Sequence, residues 1–333
     1  MREALVVTQG HQLFADALTQ LAAEISDPRL SAIAADITAP LRVAVSGRRG
    51  VGRRTVAAAL AAAGVRIAGR SGSDADMTVH VIAEVVKPED VEDVAVRQDT
   101  GDRSVLVVLN KADLAGHCGA AGAAAAMRVP VEPMSALFAL AALGDRPGAG
   151  LDRGLWEVCR QLAEQPGDLS SAGQFVSCPH PVPRPVRERL CAVLDLSGIE
   201  RMLELARQGG TAGRARTMLR RLSGIDGVVE RLAAMGAGPH HRRMSQAVVR
   251  LEAMAVGDSR IDEFLVADAA VAARMTAAAA VVQEQWVPDE PALRRARRWQ
   301  AYRGAPVGAA QRACAVDIAR GSLRAWSATR GLP

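Results

Sequence analysis

Between Gly47 and Thr55 the chain reads G-R-R-G-V-G-R-R-T, and the glycines keep the spacing of a phosphate-cradling loop of the form G-x-x-x-x-G-K-[ST]. Such a loop works because consecutive backbone N–H groups and a helix N-terminus surround phosphate oxygens. A lysine reaches the outer phosphates, and a hydroxyl holds Mg²⁺. Here Gly47, Gly50 and Gly52 supply the turn, but Arg53 stands in the lysine's place and Arg54 in the place of the metal-holding hydroxyl. Thr55 comes one position late for the metal, still at the helix start where a hydroxyl can meet an inner phosphate.

Further along, V-L-V-V-L-N-K-A-D-L places Asn110, Lys111 and Asp113 directly after a predicted strand. An N-K-x-D turn suits guanine recognition. A carboxylate can accept from the N–H pair that adenine does not present, while the lysine's apolar stem lies along the ring. A third strand-ending loop, V-P-V-E-P-M-S-A-L, offers the backbone of Ser135 and Ala136 to the other side of a base. Loops at the carboxyl edge of a parallel sheet are where ligands bind in α/β folds.

The elements that must position these loops are legible from periodicity. From Leu41 the chain alternates short β-branched runs with alanine-rich helical segments, which specifies a parallel sheet covered by helices over about residues 41–150, with an exit in G-D-R-P-G-A-G. Before it, Phe14, Leu18, Leu21 and Ile25 fall on one helical face, and Asp27 with Pro28 starts a second helix. These N-terminal helices, residues 1–40, are expected to pack on a C-terminal helical bundle, residues 151–333. In that bundle Ser197 with Glu200, Ser223 with Asp226, and Ser259 with Asp262 have helix-start spacing. Met244, Val248, Leu251 and Met254 form an apolar stripe. The fold class is therefore α/β: a small, compressed parallel-sheet domain plus a mainly α-helical bundle.

Composition agrees with a globular chain: 333 residues, 49% hydrophobic and 23% charged, with only 3% aromatic. Only Lys87 and Lys111 among the 41 basic residues are lysine. A net charge of +5 permits an acidic partner without requiring one. Cys118, Cys159, Cys178, Cys191 and Cys314 have no close pair, so neither a disulfide framework nor a zinc site is expected, and buried small thiols are. The N-terminus lacks a signal-peptide core, and the alanine-rich stretch carrying Asp268 and Arg274 is not expected to span a membrane. His240 and His241 are read as a turn before a helix, without the third ligand a metal site needs.

The three loops in this order resemble the P-loop GTPase superfamily over about residues 41–145. The flanking helical segments, with the late R-R-W-Q-A-Y-R stretch, are similar to those of actinobacterial dynamin-like GTPases. The resemblance implies nucleotide contacts from Gly47, Gly50, Gly52, Arg53, Arg54, Thr55, Asn110, Lys111, Asp113, Ser135 and Ala136, and GTP or GDP as ligand. The chain departs from the family where it matters for turnover. No D-x-x-G lies between Gly47 and Asn110, Asp74 and Asp76 are the only acids before the next strand, and the switch region is missing.

With the metal's hydroxyl, its carboxylate and the loop lysine all absent, Mg²⁺ and hydrolysis are not expected. Arginine does not replace a loop lysine, because its planar fork fills a different volume. The loop arginines are expected to hold a phosphate loosely, to face solvent, or to occupy the phosphate position themselves. The base-reading half looks intact and the phosphate half dismantled.

These features suit a degenerate, cytoplasmic GTPase-like scaffold that allows weak guanine-nucleotide binding. It would act through a protein partner or an oligomer, such as a competent dynamin-like GTPase. Two alternatives remain open. One is an active divergent dynamin-like GTPase completed in trans. The other is an anionic-surface binder, at the inner face of a membrane or less readily on nucleic acid, using Arg294, Arg295, Arg297, Arg298 and Arg303 beside Trp299 and Tyr302.

Overall fold

In the computed structural model, residues 10–69, 72, 74–99, 104–144, 150–287 and 289–330 are described. They fall into two compact units, Arg42–Ala233 and Met1–Leu41 with Ala234–Pro333. The fold is mixed α/β, and the described residues form a sheet of five parallel strands.

The described chain opens with helices α1 (Gly10–Ile25) and α2 (Pro28–Thr38). Asp27 caps α2 as its sequence predicts, accepting from the Arg29 N–H at 2.9 Å with Pro28 in the first turn. The sheet then alternates strand and helix: β1 (Arg42–Ser46), α3 (Arg53–Ala62), β2 (Arg66–Ile67), β3 (Met77–Ala83), α4 (Pro88–Asp99), β4 (Ser104–Asn110), α5 (Ala112–Met127), β5 (Val131–Met134) and α6 (Ala136–Leu143). Strand order is β2-β1-β3-β4-β5.

His80, Ile82, Val107 and Leu109 share one sheet face by alternation, and Ile82, Val107 and Leu109 pack with Val94 of α4 and Ala123 and Met127 of α5. On the far side α3 packs beside α6 and against β1 and β2. Crossovers therefore leave β1 in one direction and β3 in the other, which puts the topological switch point between them.

The same unit continues through α7 (Arg153–Glu164), α8 (Ala172–Ser177), α9 (Arg184–Arg207), α10 (Ala212–Ser223) and α11 (Ile225–Met235), the last running a little past its limit. Phe138 of α6 packs with Trp156, Leu194, Ile199 and Leu219 of these helices. The helices between 153 and 233 thus pack on α6 within the unit that holds the sheet, and the compact division lies near 233 rather than near 150. The predicted exit at 145–149 lies outside the described residues.

Two predicted helix starts differ. α9 is kinked at Asp195 (φ 58°, ψ 174°), whose own carboxylate accepts from the Leu196 N–H at 2.7 Å, so Ser197 is not a cap. Ser223 ends α10 and accepts from the Ile225 N–H at 3.3 Å, while Asp226 pairs with Arg220 instead of reaching back. Among the described residues beyond Leu151 none is in a strand, as the sequence predicts.

The second unit adds α12 (Ala237–Ala255), α13 (Ser259–Val266), α14 (Asp268–Val281), α15 (Ala292–Arg303) and α16 (Ala309–Ala328) to α1 and α2. Its core joins Phe14 and Leu18 to Met244, Val248 and Leu251, so the methionine stripe is packing. α13 is capped by Asp258 rather than Ser259. His240 and His241 lie inside α12, not in a turn before it. His11 stacks on His240, and His241 bonds Asp317 at 2.9 Å, which Arg274 also holds at 2.6 Å. Among the described residues no single helix is long and apolar enough to cross a membrane.

Candidate functional site

The carboxyl edge of the sheet gathers the loops after β1, β3, β4 and β5. The glycine loop between β1 and α3 is built on left-handed backbone, with φ of 129° at Gly47, 90° at Gly50 and 88° at Gly52. Two of these glycines are also required by space. A Cβ on Gly47 would lie 2.3 Å from the Val81 carbonyl oxygen, and one on Gly52 would lie 2.3 Å from Asn110 Nδ2. The loop can therefore lie flat against β3 and the end of β4.

Asn110 ties three loops together. Its Nδ2 donates to the Val51 carbonyl at 2.9 Å, and its Oδ1 accepts from the Ala136 N–H at 3.1 Å. The side chain is buried, so these bonds satisfy groups that would otherwise be costly to desolvate. Asn110 and Ala136, which the sequence predicts to share a site with Gly52, are bonded directly, and Gly52 lies against the Asn110 amide.

At the switch point the glycine loop is tied to the start of α4. Arg48 turns inward from the glycine loop, and its Nε donates to both oxygens of Asp90 at 2.9 and 3.0 Å. Its Nη2 donates to the Val85 carbonyl at 3.3 Å. Asp90, in the first turn of α4, is fully buried and also accepts from the Lys87 N–H at 3.0 Å. Burial pushes its carboxyl up, but Arg48 and the Lys87 amide outweigh this and hold it below the usual carboxylate range. By contrast Arg49, Arg53 and Arg54 are exposed, and Thr55 is half-buried at the start of α3. Arg48 is thus held by Asp90, while Arg49, Arg53 and Arg54 face solvent, one of the fates expected for the loop arginines.

Behind the Arg48–Asp90 pair, Ser46 Oγ lies 3.3 Å from His80 Nδ1, and His80 Nε2 lies 3.5 Å from Asp90. Burial lowers the His80 pKa against the pull of Asp90, so the ring stays neutral. The order serine, histidine, aspartate suggests a nucleophile relay. Yet His80 is fully buried, both contacts are long, and Asp90 is already committed to Arg48 and Lys87. The row braces the sheet edge.

The residues that the sequence predicts to read a base are also engaged from within. The Asp113 carboxylate accepts from Ser197 Oγ of α9 at 2.9 Å. The buried Ser135 donates its N–H to the Ser223 carbonyl at 2.9 Å, and Gly224 follows so closely that a Cβ there would lie 2.4 Å from the Pro133 carbonyl oxygen. Lys111, with φ of 60°, reaches Glu84, with φ of 62°, at 3.5 Å. That pair is solvent-exposed and contributes little.

Asp74 and Asp76 sit at the opposite, amino end of β1. Asp76 accepts from the Arg42 N–H at 2.7 Å, and Asp74 pairs with the Arg42 guanidinium at 2.6 Å. Neither reaches the glycine loop, and among the described residues no group of three or more His, Cys, Asp or Glu side chains could hold a metal. Asp90, Ser197 and Ser223 have no signal in the sequence beyond lying near helix starts, because each acts through a partner far along the chain.

In the second unit, the arginine-rich α15 divides. Trp299 is buried, Arg298 pairs with Glu290 at 2.7 Å, and Arg295 donates to Ser322 at 2.9 Å. Arg294, Arg297 and Arg303 remain exposed.

Of the cysteines, Cys159 and Cys314 are buried as expected, and burial pushes both thiols up to about 12. Cys178 and Cys191 are half-buried rather than fully so. The Cys118 side chain lies outside the described residues. Comparison with protein-family models, with curated proteins and with solved structures returned no match to this chain.

Proposed function

We propose that this chain is a GTPase-like protein that does not turn over nucleotide and acts as a scaffold for another protein. The observation that carries this reading is the Arg48–Asp90 pair. At the switch point, where an α/β sheet would receive a phosphate, a guanidinium from the glycine loop is bonded instead to a fully buried carboxylate. The chemistry of the loop supports the same conclusion. Phosphoryl transfer needs a metal held by a hydroxyl and a carboxylate, and here Arg54 replaces the first while Asp74 and Asp76 are bound at the other end of β1.

Residual guanine recognition would rest on Asn110, Lys111 and Asp113 with the Ser135–Ala136 turn. Gly47, Gly50, Gly52, Arg53, Arg54 and Thr55 would supply at most a loose phosphate contact. GTP or GDP would bind weakly and without Mg²⁺, because Ser197 competes for Asp113. The partner fitting a retained but closed fold is a second protein, a competent dynamin-like GTPase among the candidates. The exposed Arg294, Arg297 and Arg303 leave room for contact with an anionic membrane face.

Turnover of GTP by the purified chain, alone and at high concentration, tests this reading. No release of phosphate above background is expected in either case. Hydrolysis that Asp113→Ala abolishes would overturn the reading, and hydrolysis appearing only on assembly would favour an enzyme completed in trans.

A further inference from the structure

We propose that Cys178 is a reactive thiol, activated by Arg187 and open to modification by soft electrophiles and hydroperoxides. Arg187, in the first turn of α9, is only 4% exposed. Its Nη1 donates to the Phe175 carbonyl and lies 3.1 Å from Cys178 Sγ, its Nη2 donates to the Cys178 carbonyl at 2.9 Å, and its Nε has no hydrogen-bond partner, while the Cys178 thiol faces the same Phe175 carbonyl at 3.5 Å. Among the described residues no carboxylate lies within ion-pair distance of it.

A buried cation with only neutral partners is costly, and an anion formed beside it is stabilised in proportion. The group placed to become that anion is the half-buried Cys178 sulfur. Thiolates, not thiols, are the nucleophiles, and partly exposed cysteines beside arginine are where they form.

The surroundings hold the sulfur in this geometry. His180 donates or accepts through both ring nitrogens, at 2.7 Å to the Gln165 carbonyl and at 2.9 Å from the Val182 N–H, so it cannot act as the base. Gly167, with φ of 72°, lies so close that a Cβ there would stand 3.4 Å from Cys178 Sγ. The other described cysteines lack this setting. Cys159 and Cys314 are buried, and the Cys191 thiol is pushed up by burial and by Asp195, which together outweigh the opposing pull of Arg187.

The chemistry balances simply. With iodoacetamide the sulfur forms a bond to the methylene carbon, and iodide leaves with the bonding pair. With hydrogen peroxide the sulfur attacks one oxygen, the O–O bond breaks, and hydroxide leaves and takes up a proton as water. The sulfur is oxidised by two electrons to the sulfenic acid while the peroxide is reduced.

The test uses the full chain and limiting iodoacetamide, with peptide mass spectrometry reading the rate at each cysteine in buffer and in concentrated urea. Half-burial alone would make native Cys178 slower than in the unfolded chain. The proposal expects it to be faster, by about tenfold, and to exceed native Cys191. A native rate at or below the unfolded rate overturns it.

Arg187→Met should bring the native rate below the unfolded one, as half-burial alone would, and a folded variant that keeps the wild-type rate overturns the role of Arg187. If that variant does not fold, the wild-type comparison decides alone. Hydrogen peroxide with dimedone should place the adduct first at Cys178, and an adduct at other cysteines only would remove the hydroperoxide claim.

Discussion

Ser197 Oγ donates to the Asp113 carboxylate at 2.9 Å, joining the kinked α9 to the loop after β4. The carboxylate of the N-K-x-D turn is thereby satisfied by the protein. A hydrogen bond to a charged acceptor contributes about 1.5–3 kcal/mol. Ser197→Ala is therefore expected to raise the affinity for a fluorescent guanine nucleotide roughly tenfold, measured by anisotropy titration. Asp113→Ala in the same background should remove the gain.

Arg48 and Asp90 form a pair whose acid is fully buried while the arginine side chain is 31% exposed. Removing Arg48 leaves the buried carboxylate with the Lys87 N–H but no counter-charge bonded to it. Arg48→Met should therefore lower stability, read from urea unfolding. The double variant Arg48→Met with Asp90→Leu should recover most of that loss, since replacing a whole buried pair by apolar groups is commonly neutral.

Gly50 and Gly52 have nearly the same φ, 90° and 88°, but different surroundings. A Cβ at Gly50 would meet nothing within 4 Å, whereas one at Gly52 would meet Asn110 Nδ2 at 2.3 Å. Gly50→Ala should cost about 1 kcal/mol from the left-handed backbone alone. Gly52→Ala should cost clearly more, because it also displaces the side chain that ties Val51 to Ala136. Equal losses in urea unfolding would contradict the account of Asn110.

His11 stacks on His240 with ring centroids 3.9 Å apart. Burial, and then His240, lower its pKa from 6.5 to about 4. The unfolded chain therefore binds the proton first, so the stability from the neutral ring is complete above about pH 6.5 and is lost as the pH falls toward 4. Acidifying from about pH 7 to about pH 5 should cost about 2 kcal/mol. His11→Phe, which keeps the buried ring, should flatten that loss in thermal unfolding at the two pH values.

The strands were legible because β-branched runs such as V-L-V-V-L alternate with alanine-rich segments, and this pattern sets the spacing of the sheet. β2 was not, since Arg66–Ile67 is too short to show any period. The glycine loop and Asn110 could be read because turn geometry and strand ends leave local signals.

The partners of Arg48 and Asp113 could not. Asp90 and Ser197 lie 42 and 84 residues away, and only packing brings them within bonding distance. Ser197 with Glu200 imitated a helix start, while the break that packing imposed falls at Asp195.

Titration of fluorescent GTP, GDP and ATP, each with and without Mg²⁺, tests the proposed closure of the phosphate half most directly. The account predicts weak binding with a preference for guanine that is the same in both conditions. Tight GTP binding that depends on Mg²⁺ would contradict it, because the Arg48–Asp90 pair would then have to give way to a metal-bound triphosphate.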